Sequence, residues 1–214
     1  MTIRHHLSDQ LLMGYAAGSL PEAFSLVVAT HVSLCDECRA RLASYDTLGG
    51  ALIEAQGQVT MGEDALEAAL ARISGTAQAT QRAPLRAAGI FPAPLADYIG
   101  SDLAAIRWQP IGMGVKQAIL PTDREATARL LYIPAGVAVP DHGHRGAELT
   151  LVLQGAFADA NDRFGPGDVE IADEAMQHTP VAMAGMDCIC LAATDAPLKF
   201  RALLPRLVQG LFRI

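Results

Sequence analysis

The sequence predicts an α+β multidomain chain, with a small four-helix domain at the N-terminus and an all-β barrel or sandwich after it. Three observations carry this. Between residues 7 and 73, apolar side chains recur three and four apart, the period of amphipathic helices. From about residue 104 onward, short apolar runs alternate with Gly, Pro and Asp turns, as in β-sandwiches and jelly rolls. Between these regions, SGTAQATQRAPLRAAGIFPAP at 74–94 replaces the helical period with small residues, Gln and three prolines. The divisions read as a helical domain over 1–80, a linker over 81–96, a β domain over 97–200 and a tail over 201–214. A linker with so few large apolar residues predicts halves that fold independently.

Taken in order, residues 7–18 form a first helix with Ser8 as N-cap, an apolar stripe of Leu11, Leu12, Tyr15 and Ala16, and Gly18 at its end. Pro21 suits the first turn of a second helix that runs to about His31. Phe24, Leu26, Val27, Val28 and Ala29 make that helix apolar on more than one face, as expected of a buried bundle helix. A third helix, about 36–54, carries Leu42, Tyr45, Leu48, Leu52 and Ile53, and Gly49-Gly50 weakens it. A fourth, Glu63 to Ile73, places Leu66, Leu70 and Ile73 on one face, with Glu63, Asp64 and Glu67 complementing its dipole. It either completes the bundle or serves as a spacer, since three helices can close a small core. Strands are expected at 115–120, 127–133, 148–154, 168–171, 179–183, 187–193 and 198–204. The final segment, 206–214, is short and apolar.

Of 214 residues, 51% are hydrophobic and 18% charged, so the chain can build a packed core. The net charge is −7, and both halves share it: residues 1–85 hold five Lys/Arg against nine Asp/Glu, residues 86–214 eleven against fourteen. Neither half offers the basic face that neutralises phosphates, which argues against direct nucleic-acid binding and for a protein partner, preferably a basic one. No apolar h-region opens the chain and no run is long enough to span a bilayer, so a cytoplasmic protein is expected. Four cysteines in two close pairs, Cys35/Cys38 and Cys188/Cys190, suit a reducing compartment better than a disulfide framework.

The first pair belongs to His31-Val-Ser-Leu-Cys35-Asp-Glu-Cys38, an H-x3-C-x2-C spacing. On a continuous helix these three donors share one face. Two thiolates and an imidazole suit Zn²⁺, which takes four N/S ligands in a tetrahedron. His5 and His6 can both supply the fourth; His6, abutting the first helix, is favoured. The plainer alternative makes the cysteines small core residues. From His6 to Cys38 the chain resembles the zinc-binding anti-sigma domain, a likeness covering roughly the first 75 residues. The resemblance implies a zinc-dependent antagonist that forms a 1:1 complex with an extracytoplasmic-function (group IV) sigma factor and blocks its docking on core RNA polymerase.

A second donor set lies in GVAVPDHGHRGAELTLVLQG at 136–155. His142, His144 and Glu148 share parity, hence one face of an extended chain, and His178 follows the Gly165-Pro166-Gly167-Asp168 turn. Three imidazoles and a carboxylate suit Zn, Mn, Fe, Ni or Cu. The spacing resembles the cupin motifs over roughly residues 100–195, although Thr179-Pro180-Val181-Ala182 departs from the second motif. The resemblance implies a jelly-roll barrel with a second metal, zinc being the first expectation. Combined with an anti-sigma domain, it implies a barrel needed for release under oxidative stress such as singlet oxygen. The rival reading is a cupin metalloenzyme, a dioxygenase or isomerase, with an accessory zinc-binding helical domain. Cys188 and Cys190 face one way along a strand and read as buried small hydrophobes, or as a redox pair if that face lines the cavity.

Overall fold

The structure, a computed structural model, describes residues 2–75, 90–100, 102–197 and 199–200. Residues 81–89 of the expected linker, the expected tail 201–214 and most of the strand expected at 198–204 lie outside the described residues.

Helix α1 (Asp9–Ala16) begins where Ser8 Oγ accepts the Leu11 amide at 3.3 Å, and its chain reverses at Gly18, whose φ of 64° favours glycine. Helix α2 (Glu22–Leu34) starts just after Pro21 and stops at Cys35, which has extended backbone. Helix α3 (Asp36–Glu54) starts at once, with Cys35 Sγ accepting the Cys38 amide and Asp36 and Glu37 in the first turn. Helix α4 (Ala65–Gly75) follows, but its Leu66, Leu70 and Ile73 are all more than half exposed. The small helical core is therefore closed by α1 to α3. A fifth helix, α5 (Ala93–Ile99), lies where the three prolines suggested only linker. Pro92 and Pro94 occupy the cap and first turn, positions that need no intrahelical N–H, and Gly100 ends the helix at φ 77°.

The β domain opens with strands β1 (Gln109–Gly112), β2 (Val115–Ile119) and β3 (Thr127–Ile133). It continues through β4 (His142–Gly143), β5 (Glu148–Gln154), β6 (Phe157–Ala158), β7 (Arg163–Phe164) and β8 (Val169–Ala172). The last are β9 (Gln177–His178), β10 (Val181–Ala182), β11 (Cys188–Thr194) and β12 (Lys199–Phe200). A six-stranded sheet, ordered β1-β2-β3-β11-β5-β8, is accompanied by two three-stranded sheets, β10-β6-β7 and β12-β4-β9. Val115, Ile133, Val152 and Cys190 of the large sheet pack with Phe157, Phe164 and Ala182 of β6, β7 and β10, closing a barrel.

The outer face of the large sheet is not solvated. Leu130, Leu149, Leu151 and Leu191 form one core with Leu7, Leu12, Phe24, Leu26 and Val27 of the helices and with Leu95 of α5. This is why every residue of β11, CICLAAT, is buried, and why α2 is apolar on more than one face: it lies between the bundle and the sheet. The halves, expected to fold independently, pack on one another here, the apolar face of α2 resting against the barrel. Glu22 at the start of α2 reinforces the contact. Its carboxylate accepts the Asp123 amide at 2.7 Å and the Tyr98 hydroxyl at 2.7 Å, and its own amide donates to Asp123 at 3.1 Å. The carboxylate pushes the Tyr98 phenol up to about 12.

Candidate metal centres

The first donor cluster forms at a corner. His31 sits in the last turn of α2, Cys35 at the break and Cys38 in the first turn of α3, so the three straddle two helices instead of sharing one helical face. Cys35 breaks the helix because its sulfur caps α3. His6 arrives from the N-terminal segment, and one donor atom from each of the four residues lies within 4.8 Å of the others. His6 Nδ1 is 3.3 Å from Cys35 Sγ and 3.7 Å from Cys38 Sγ, while His31 Nε2 is 3.2 Å from Cys38 Sγ. His31 Nδ1 donates to the Gly167 carbonyl at 2.9 Å, which leaves Nε2 as a bare lone pair facing the sulfurs. Burial holds the His31 ring at about 4, neutral at ordinary pH, and pushes the Cys38 thiol up to about 11. A thiol buried this way ionises readily only beside a cation, so the donor set, tautomer and burial fit Zn²⁺.

His5 goes elsewhere. Its Nε2 is 2.8 Å from Asp162 Oδ2, and its ring lies against Phe164 with centroids 4.4 Å apart. Of the two neighbouring histidines, only His6 reaches the cysteines.

The second cluster lies in the barrel. Strands β4 and β9 pair antiparallel with His142 opposite His178, which brings together residues far apart in sequence. His142, His144 and His178 converge within 4.8 Å. His142 Nδ1 donates to the Pro140 carbonyl at 2.8 Å and His178 Nδ1 to Glu170 Oε1 at 3.2 Å. Both rings therefore turn Nε2 inward, and these atoms stand 3.2 Å apart. Two lone pairs at that distance repel unless a cation or proton lies between them. Both ring nitrogens of buried His144 lack a hydrogen-bond partner, another mark of a site that fits a metal. Glu148 stands at the margin: one carboxylate oxygen is 3.6 Å from His144 Nδ1 and the other accepts the Thr150 hydroxyl at 3.0 Å.

Burial lowers His142 and His144. Burial also acts on His178, but Glu170, Glu148 and Asp159 outweigh it and raise that ring. Glu170 and Asp159, both close to His178 Nδ1, were not singled out from the sequence. The available signal for Glu170 was an acidic residue on the inward parity of VEIA, between two apolar neighbours. Cys188 and Cys190 do share a face and line the barrel interior, with sulfurs 3.5 Å apart. The hydrogen bond to Cys188 and burial push the Cys190 thiol well above its ordinary range, and the carboxylates of Glu170 and Glu148 add to this.

Fold and sites together define a class: a helical module with a Cys2His2 cluster, packed on a cupin-like barrel with a three-histidine cluster. Residues 97–197 match the ChrR Cupin-like domain. The anti-sigma-E factor ChrR of Cereibacter sphaeroides is 62% identical over 215 residues, spanning 100% of both chains. In the crystal structure of Rhodobacter sphaeroides SigE in complex with the anti-sigma ChrR, the matching chain is 61% identical. It superposes with a TM-score of 0.79 over 91% of this chain and 100% of that chain. The chain belongs to the ChrR family of anti-sigma factors.

Proposed function

We propose that this chain is an anti-sigma factor, a regulator and not an enzyme, which binds an extracytoplasmic-function sigma factor one to one and keeps it from core RNA polymerase. The observation that carries this reading is a run of exposed apolar side chains. Leu48, Leu52, Ile53, Val59, Met61, Leu66 and Leu70 are all more than half exposed along α3, the following loop and α4. A stretch of 23 residues with that much exposed apolar surface suits a protein partner. The acidic chain complements a basic, DNA-binding one, and the relative's crystal structure holds a sigma factor.

His6, His31, Cys35 and Cys38 are the proposed zinc ligands at the helical corner; His142, His144, Glu148 and His178 are proposed for a second metal, zinc in the first instance. At the helical corner, His6, His31, Cys35 and Cys38 would hold the ion, which would then tie the N-terminal segment to both helices. Cys35, as cap of α3, and His31, as the end of α2, fix the angle at which α3 leaves the corner and so the direction of its exposed face. The barrel is proposed as the part needed for release under oxidative stress such as singlet oxygen, since it packs on α2 itself. Among the described residues no helix is long and apolar enough to cross a membrane. An antagonist of this kind works in the cytoplasm, where the polymerase is.

Co-expression with candidate sigma factors, followed by affinity capture and mass determination, tests the reading. A 1:1 complex that silences a sigma-dependent reporter is expected. Capture of no sigma factor by the full chain would reject it.

A further inference from the structure

The helical donor cluster is not built by the helical region alone. His31 donates from Nδ1 to the carbonyl of Gly167, 136 residues away in the barrel turn Gly165–Asp168. His6 belongs to no helix, and the residues just before it are tied to the same turn. The amides of Arg4 and His5 both donate to Asp168 Oδ1, at 2.6 and 3.0 Å, and the Val169 amide donates to the His5 carbonyl at 3.3 Å. The Arg4 guanidinium reaches the Arg163 carbonyl at 3.0 Å, and the His5 ring is held by Asp162 and Phe164. Asp168 is buried, and its other oxygen accepts the Gly165 amide at 2.8 Å, so the clasp and the turn share one carboxylate.

We infer that the barrel turn Gly165–Asp168 positions both imidazoles of the helical metal centre, so that the barrel sets how firmly that centre keeps its metal. The inference rests on the zinc reading of His6, His31, Cys35 and Cys38. The carbonyl of Gly167 fixes the His31 tautomer, and Asp168 fixes the approach of His6, the one ligand brought by an extended terminal segment. Partners behind a ligand typically change metal affinity about 10- to 100-fold when removed. Asp168 and His5 act here as positioning residues, not as ligands.

The test uses the full chain loaded with cobalt(II), because the thiolate-to-cobalt absorption reports the centre containing Cys35 and Cys38, whereas the barrel cluster supplies imidazole nitrogen. His5→Ala removes the side-chain half of the clasp and leaves every ligand and the Asp168–Gly165 bond in place; Asp168→Asn weakens the backbone half. Loss of the thiolate band to a chelator is expected to be about tenfold faster in each variant than in the parent chain, with total cobalt in the barrel unchanged. Loss within about twofold of the parent in His5→Ala overturns the inference, and this variant decides the matter if Asp168→Asn does not fold. A lowered melting temperature of the metal-free variants with an unchanged rate of cobalt loss also overturns it, since that is what a purely structural clasp would do. A parent chain with no thiolate band would instead remove the zinc reading.

Discussion

Replacing Leu48 and Leu52 together by alanine tests the proposed docking face where structure and function separate most cleanly. The two side chains lie one turn apart on α3 and are 55% and 59% exposed. Full burial of a leucine side chain is worth about 1.5–3 kcal/mol, so covering the exposed part of each contributes about 1–1.5 kcal/mol. Losing both should weaken the sigma complex by about 2–3 kcal/mol, on the order of 30- to 150-fold in Kd. The free protein should hardly notice, because exposed substitutions usually change stability by less than about 0.5 kcal/mol and alanine is a strong helix former. Titration of the sigma factor by calorimetry or anisotropy, beside thermal melts of the free variant, measures both quantities. A Kd within about threefold of the parent would show that this face is not where the partner sits.

Metal analysis should find two equivalents in the parent chain, one lost in Cys35→Ser with Cys38→Ser and the other in His142→Ala with His144→Ala. His6→Ala should release the helical metal faster than His5→Ala in a chelator challenge, as expected of a ligand against a positioning residue. Metal-free protein should lose stability on acidification. Burial keeps His31 at about 4 against an unfolded value of 6.5, and also lowers His142 and His144, so the unfolded chain takes up protons that the folded chain refuses. That contribution is complete above about pH 6.5 and is lost as the pH falls towards 4; His178, raised, runs the other way and offsets part of it. Melting midpoints measured in chelator across this range check the sign. In cells, substituting His142, His144 or Glu148 in the full chain should blunt the response of a sigma-dependent reporter to singlet oxygen while leaving its silencing intact.

The residues that converge in the two clusters were legible through their spacing: H-x3-C-x2-C and the shared parity of His142 and His144 persist whatever surrounds them. The helical corner was less so. Periodicity places His31, Cys35 and Cys38 on one helical face, but the capping sulfur of Cys35 ends one helix and begins the next. Helix α5 was hidden because prolines that break helices also start them. The docking of the halves left a trace in the all-round apolarity of α2, which a bundle alone would equally explain. The direction of the α4 face was not legible at all, since Leu66, Leu70 and Ile73 carry the same pattern whether they pack at home or on a visitor.

The burial of α2 between bundle and barrel also dictates an order of events during synthesis. The apolar wall that Leu26 and Val27 rest against comes from β3, β5 and β11, strands that follow about a hundred residues or more later. The carbonyl that orients His31 emerges 136 residues after the ring it holds, on the order of ten seconds at ordinary ribosomal speeds. During that interval the nascent helical region has its cysteines and histidines but neither its apolar backing nor its clasp. Its Cys–His corner can therefore reach its final form only once the barrel has left the ribosome.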